Sequence, residues 1–186
     1  MLRFLKIQIY IGFFLCVGLF VVISYAKGQE MDTIEGDAAS WQYFSDQVMG
    51  GKSTGNSKLL TEGGSSYRRL EGIVTTENNG GFIQIRSSVS KLAKDLNGLE
   101  LVVRGNGQNY FVFLRTSGTV LPWQYYKAKF QTNSDWNTVQ IRFSDFDRSS
   151  AWLRKTIVPD SIKSIGIVAF GRNHKALIDV KEVTFF

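Results

Sequence analysis

The sequence contains very little cysteine and histidine. Cys16 and His174 are the only residues of these two types among 186, and Cys16 lies in an apolar run near the N-terminus. Without a second cysteine the chain forms no internal disulfide and depends on a buried core for its stability. With one histidine, a Ser-His-Asp triad has a single possible base, and a zinc site would need mostly carboxylate ligands. We interpret His174 as an exposed loop residue, and we expect no catalytic residues, no metal and no cofactor.

Clustered charge and helical periodicity are also scarce. The chain carries 22 Lys and Arg against 16 Asp and Glu, a net charge of +6, but the basic residues are spread along the sequence. Nucleic-acid-binding domains normally group their basic residues in a patch or carry a recognisable module, so we expect no nucleic-acid partner. Almost no segment after the N-terminal run has a period of 3.6 residues, which argues against a helical fold.

The first 26 residues are typical of an export signal. Arg3 and Lys6 precede an apolar run at residues 7–23, and the small residues Ser24 and Ala26 follow it. A positive start, an apolar stretch and small residues at the end are the three parts of a secretory signal. The run has 17 residues, which is at the lower limit for crossing a hydrocarbon core.

We therefore predict that residues 1–26 are either a cleaved signal peptide or an uncleaved signal anchor. In both cases residues 27–186 form a single exported domain, periplasmic or extracellular. The domain would contact a membrane only through residues 7–23, and only where these are not cleaved.

Short apolar runs and period-two patterns bounded by Gly, Asn, Asp and Ser recur after the N-terminal run. In Phe-Ile-Gln-Ile-Arg at 82–86, Ile83 and Ile85 fall on one face and Gln84 and Arg86 on the other, as in a strand with one buried face. This pattern predicts nine strands, at 41–45, 67–75, 81–87, 99–104, 110–116, 125–131, 138–143, 162–170 and 176–185. The segment 146–160 is less regular, with room for one helical turn. Strands at this spacing predict an all-β fold, a two-layer sandwich or jelly roll.

The segment Gly-Gly-Lys-Ser at 50–53 resembles the end of a phosphate-binding loop, but the wider sequence argues against one. Such a loop needs a glycine at the position that Asp46 occupies, and a carboxylate there would repel a phosphate. The strand before and the helix after the loop are also missing.

Aromatic and arginine side chains beside predicted turns are candidate binding residues. Aromatic rings near loops can stack on sugars or anchor a protein partner, although most aromatics in a sandwich fill its core. Arginines that end apolar strands can present a basic edge to a ligand, or can pair with acidic residues across strands. The candidates are Trp123, Tyr125, Tyr126, Arg86, Arg104 and Arg115.

Six segments follow one another in a specific order along the chain. They are Trp-Gln-Tyr-Phe-Ser-Asp-Gln-Val-Met-Gly-Gly-Lys-Ser at 41–53 and the segments at 70–86, 96–116, 126–132, 136–146 and 162–167. Together they resemble the complex I intermediate-associated protein 30 family. The resemblance implies a galactose-binding-like jelly roll and a chaperone-like binding role, since the best-known members assist assembly of respiratory complex I (NADH:ubiquinone oxidoreductase) without known catalysis.

Within this resemblance, the segment at 45–53 corresponds to the family's signature loop, formed by Asp46, Met49, Gly50, Gly51 and Ser53. The resemblance implies a structural role for this loop. The paired glycines allow a tight backbone path, and Asp46 and Ser53 can hydrogen-bond main-chain groups.

The sequence thus predicts a non-enzymatic, exported jelly-roll module that binds another protein, such as a subunit of a membrane complex during assembly. The alternative is a carbohydrate-binding module that uses the loop aromatics on the same fold.

Overall fold

The computed structural model describes residues 32–35, by their backbone, and residues 41–186. Within these residues, no helix has both the length and the apolar character needed to cross a bilayer. The predicted signal or anchor at residues 1–26 lies outside the described residues, so export and anchoring stay predictions.

The described chain consists of β-strands joined by loops and short 3₁₀ turns. The strands are β1 (Asp32–Glu35), β2 (Gln42–Ser45), β3 (Thr54–Glu62), β4 (Ser65–Val74), β5 (Phe82–Ser88), β6 (Gly98–Gly105), β7 (Asn109–Thr116), β8 (Tyr126–Gln131), β9 (Asn137–Arg142), β10 (Asp147–Arg148), β11 (Ile162–Phe170) and β12 (His174–Phe185). The 3₁₀ turns are Asp46–Met49, Glu77–Asn79, Phe143–Asp145 and Pro159–Ser161. All nine predicted strands are present, and β1, β3 and β10 are additional.

The strands form two antiparallel sheets. The first sheet has the order β3-β4-β12-β6-β9, and β1 pairs with the second half of β12, with Asp32 opposite Phe185. The second sheet has the order β10-β8-β7-β11-β5-β2. The predicted all-β jelly roll is therefore confirmed.

The core lies between the sheets because alternate side chains of each strand point inward. Five fully buried members of this core are Leu99 and Leu101 of β6, Ile178 of β12, and Ile83 and Ile85 of β5. Burial of each such side chain contributes about 1.5–3 kcal/mol. As predicted, Ile83 and Ile85 face the core while Gln84 and Arg86 face outward.

Strand β7 has apolar side chains on both of its faces. Tyr110, Val112 and Leu114 are fully buried in the core, so the intervening Phe111 and Phe113 point away from it and are only partly buried. The second sheet therefore has aromatic side chains on its outer surface as well as apolar side chains on its inner surface.

Candidate functional site

Six aromatic side chains occupy the outer surface of the second sheet, and we call them the aromatic face. They are Phe44, Phe82, Phe111, Phe113, Tyr125 and Phe170, and each is partly buried. They share one surface because their strands are neighbours in register: Phe44 lies opposite Gln84, Phe82 opposite Phe170, and Phe111 opposite Val168. Tyr125 directly precedes β8.

Phe113 is at the centre of this cluster. Its ring stacks on that of Tyr125, with centroids 4.1 Å apart and planes within 9° of each other. Phe170 contacts Phe113 edge to face at 5.4 Å and Phe111 at 5.8 Å. Offset and edge-to-face arrangements of this kind are favourable. The rings are therefore held in place before any ligand arrives, and Val168 is buried beneath them.

Arg86 is the notable charged group of the aromatic face. Its guanidinium lies 4.2 Å from the centroid of the Phe44 ring. Burial, followed by the repulsion of nearby Arg115, lowers the pKa of Arg86, but an arginine remains charged at neutral pH. Among the residues that the structure describes, no hydrogen bond or ion pair joins Arg86 to an acidic group. A carboxylate or phosphate of a ligand would supply the missing partner.

A second surface lies beside the aromatic face, at one end of the sandwich. We call it the loop patch, and it consists of Val120, Leu121, Trp123 and Trp152. Val120 is 80% exposed, Trp123 65% and Trp152 92%. A shallow cleft of about 420 Å³ runs between these side chains, with Gly118, Gln124 and Ser150 in its walls. The patch combines a cleft with exposed apolar side chains, and contiguous exposed apolar surface commonly marks an interaction site.

Two of the predicted binding residues lie elsewhere. Tyr126 is in the core, only 3% exposed, and its hydroxyl donates to the carbonyl of Arg154 at 3.1 Å. Arg104 lies on the first sheet, where it donates to Asp179 at 2.8 Å and pairs with Glu62 at 2.7 Å. Of the two roles that the sequence allowed for the arginines, Arg104 thus has the structural one.

The other four candidates come together. Arg86 and Tyr125 are part of the aromatic face, and Trp123 is in the loop patch next to it. Arg115 connects the two, because its guanidinium donates to the carbonyls of Thr119 at 3.0 Å and Leu121 at 3.1 Å. A binding role for these four residues stays a prediction.

Asp46 organises the predicted signature loop. Its buried carboxylate accepts hydrogen bonds from the backbone N–H of Ser53 at 2.9 Å, Gly81 at 2.5 Å and Phe82 at 3.1 Å. It also accepts a bond from the Ser53 hydroxyl at 2.5 Å. Burial opposes ionisation, but these bonds together lower the pKa of Asp46. The carboxylate fills the space beside Gly51, where a Cβ atom would overlap it.

Ser53, Gly50 and Met49 complete this loop. The Ser53 hydroxyl also accepts a bond from the backbone N–H of Thr75 at 3.0 Å. Gly50 has a φ of 89°, in the region that favours glycine, while Met49 is exposed. Asp46 and Ser53 therefore bind main-chain groups, as the resemblance implied.

The prediction of an exposed loop position for His174 is wrong. His174 is the first residue of β12 and is half-buried, with Nδ1 2.8 Å from the carbonyl oxygen of Arg172. Burial lowers its pKa. In the described part of the chain, no group of three or more His, Cys, Asp or Glu side chains could hold a metal ion.

The aromatic face is a feature that the sequence prediction missed. The run Tyr-Phe-Val-Phe-Leu at 110–114 is apolar at every position, which is typical of a strand buried on both faces. The sequence signal for the aromatic face was that the outward positions of this run, 111 and 113, are both Phe and that Arg115 follows them.

The fold defines a class: a jelly-roll β-sandwich, which is also the fold of carbohydrate-binding modules. The family 11 carbohydrate-binding module of a cellulosomal cellulase of Clostridium thermocellum has a TM-score of 0.67 at 15% identity, over 84% of this chain and 94% of the module. A structure of a family 11 module from that organism in complex with a β-1,3-1,4-mixed-linked tetrasaccharide has a TM-score of 0.68 at 15% identity, over 84% and 95%. At this identity the likeness concerns the fold.

The sequence itself identifies the family. The model of the complex I intermediate-associated protein 30 family matches residues 29–178, and the chain belongs to that family. The comparison with curated protein sequences gave no match.

Proposed function

We propose that this protein is a non-catalytic binding module whose aromatic face holds a protein partner, with an acidic side chain of the partner against Arg86. Family membership supports an assembly-factor-like role, in which the partner is a subunit of a membrane complex. The observation that carries the proposal is the half-buried guanidinium of Arg86, which lies among aromatic rings without an acidic partner in the described residues.

The composition of the face suits a protein interface. Aromatic residues and arginine are enriched in the buried centre of such interfaces, where a few of them contribute most of the binding energy. The contacts of Phe113 with Tyr125 and Phe170 fix the rings, so little side-chain entropy would be lost on binding. A partner carboxylate that reaches Arg86 would form a charge-assisted hydrogen bond, which is stronger than a neutral one.

Affinity purification from membranes with the full chain as bait tests this proposal. We expect a reproducible protein partner, and we expect Arg86→Glu to weaken its binding at least about tenfold because two like charges would then oppose each other. Lys175→Glu is the matched control, since it makes the same charge change at an exposed position on the first sheet. Absence of a partner, or equal loss in both variants, would contradict the proposal.

Carbohydrate binding is the second candidate function. The parallel stack of Phe113 and Tyr125 provides a flat aromatic surface, and Gln84 and Arg86 supply polar groups beside it. Sugars bind by stacking on such surfaces with hydrogen bonds at their edges. A glycan array distinguishes the two functions: a glycan signal that is lost in both Tyr125→Ala and Trp123→Ala would favour carbohydrate over protein.

A further inference from the structure

The exposed apolar side chains of the loop patch have no part in the proposed protein-binding function. Two tryptophans and a valine are mostly exposed there, with Trp152 at 92%. Tryptophan is enriched at the interface between lipid and water, because its ring is large and apolar while its N–H group can remain hydrated.

The loops that carry the patch are fixed by hydrogen bonds. The Ser149 hydroxyl accepts a bond from the backbone N–H of Tyr125 at 2.9 Å and donates to the carbonyl of Trp123 at 3.0 Å, which joins the two loops. Arg148 donates to the carbonyls of Ala151 at 3.0 Å and Leu153 at 2.7 Å.

These bonds, with those of Arg115, supply partners for backbone carbonyls next to the exposed apolar side chains. Transfer of a backbone polar group into an apolar medium without a hydrogen-bond partner costs roughly several kcal/mol. Loops whose backbone groups already have partners avoid this cost. The carbonyls of Thr119, Leu121, Trp123, Ala151 and Leu153 thus already have partners within the protein.

The charge of the two loops is compatible with lipid headgroups. Residues 117–125 contain no charged side chain, and residues 149–156 contain Arg154 and Lys155 but no carboxylate. Both basic residues are exposed. Headgroup phosphates attract exposed basic groups near the surface and would repel carboxylates.

The path of the chain brings the start of the first described strand close to this patch. Asp32 pairs with Phe185, and the adjacent Phe186 shares a cleft with Lys155 and Thr156. Thr156 in turn shares a cleft with Trp152. The first described strand therefore begins at the end of the sandwich that carries the loop patch.

Only eight residues, 24–31, separate the predicted anchor at 7–23 from Asp32. An extended chain of that length reaches at most about 30 Å. With residues 7–23 in a bilayer, the end of the sandwich that carries Trp123 and Trp152 is held beside the membrane surface. We propose that the loop patch inserts its tryptophans into the interfacial layer of a lipid bilayer, which fixes the orientation of the domain and leaves the aromatic face free for its partner.

The test is quenching of tryptophan fluorescence by brominated lipid. The purified full chain is incorporated into vesicles of phosphatidylcholine and phosphatidylglycerol, with the phosphatidylcholine acyl chains either brominated or not, and the vesicles are recovered by flotation. We expect lower emission in brominated vesicles, since bromine quenches only rings that reach the acyl chains. The double variant Trp123→Ala/Trp152→Ala is expected to lose most of this quenching.

Two further variants make the result specific. Trp136→Phe is the control, because Trp136 lies by the first sheet against Arg104 and Tyr67, and it should keep the quenching. Val120→Asp removes no fluorophore but places a carboxylate in the patch, and it should reduce the quenching. The proposal is overturned by a wild-type chain that does not float or is not quenched, as expected of a patch that binds a protein instead, or by quenching that both patch variants retain.

Discussion

Asp46 and Gly81 are joined by a hydrogen bond of 2.5 Å from the Gly81 backbone N–H to the Asp46 carboxylate, across 35 positions of sequence. This bond attaches the 3₁₀ turn after β2 to the start of β5, the strand that carries Arg86. The signature loop therefore holds the start of β5 in position next to the aromatic face.

Replacement of Asp46 by alanine should destabilise the protein by about 3 kcal/mol or more, because several buried donors would lose their acceptor at once. Denaturant unfolding followed by tryptophan fluorescence measures the change. Asp135→Ala, at an exposed position, is the control and should have little effect. A difference of less than about 1 kcal/mol between the two variants would mean that the hydrogen bonds of Asp46 contribute little to stability.

The lowered pKa of Asp46 predicts a dependence of stability on pH. A carboxyl whose folded pKa is depressed contributes stability that is fully present above its unfolded pKa, about 3.9, and is lost as pH falls toward the folded value. We expect the free energy of unfolding to fall below about pH 4. Asp46→Asn should be less stable at neutral pH but should show a shallower acid dependence, and parallel curves for the two proteins would contradict the assignment.

Gly51→Ala tests the packing around the same carboxylate. A Cβ atom at Gly51 would overlap the Asp46 side chain, so the variant should lose about 1–3 kcal/mol of unfolding free energy. At Gly118 the nearest atom would be the Thr116 hydroxyl oxygen at 3.6 Å, and Gly118→Ala should be close to neutral. Thermal unfolding midpoints that do not distinguish the two variants would count against a tight fit at Gly51.

Arg86 and Arg104 should respond differently to replacement by methionine. Arg104→Met removes one partner of Asp179, a buried carboxylate also held by Arg69 at 2.7 Å, and we expect a loss of about 2 kcal/mol. Arg86→Met leaves no described acidic group without a partner, so stability should change by less than about 0.5 kcal/mol. Equal losses in urea unfolding would show that Arg86 has a structural role, and would remove the main support for the proposed function.

The sequence predicted nine strands because most of their core-facing side chains are apolar and their ends carry turn residues. Strand β3 was missed because its sequence, Thr-Gly-Asn-Ser-Lys-Leu-Leu-Thr-Glu, has no alternating pattern and most of its residues are exposed. It is an edge strand held by backbone pairing to β4, with an ion pair of 2.7 Å from Lys58 to Glu71. Pairing of this kind depends on the neighbour more than on the strand's own side chains.

Two of the predicted arginines show why the site could not be fully predicted from the sequence. Arg86 and Arg104 have similar local sequences, each near the end of an apolar strand. They differ because Asp179, 75 residues after Arg104, lies on the strand adjacent to β6, whereas the neighbours of Arg86 across the second sheet are Gln42 and Gly166. Which charges meet is decided by the order of strands in a sheet, and local sequence does not contain that order.

Strand β12 lies in the middle of the first sheet, yet it is the last strand of the described chain. Without it the sheet would divide into two separate pairs, β3 with β4 and β6 with β9. The ribosome delivers this joining strand after the other strands that the structure describes, so the first sheet closes only once His174–Phe185 has been synthesised. A prematurely terminated chain that lacks His174 onward would expose two unpaired strand edges, β4 and β6, to the aggregation that such edges promote.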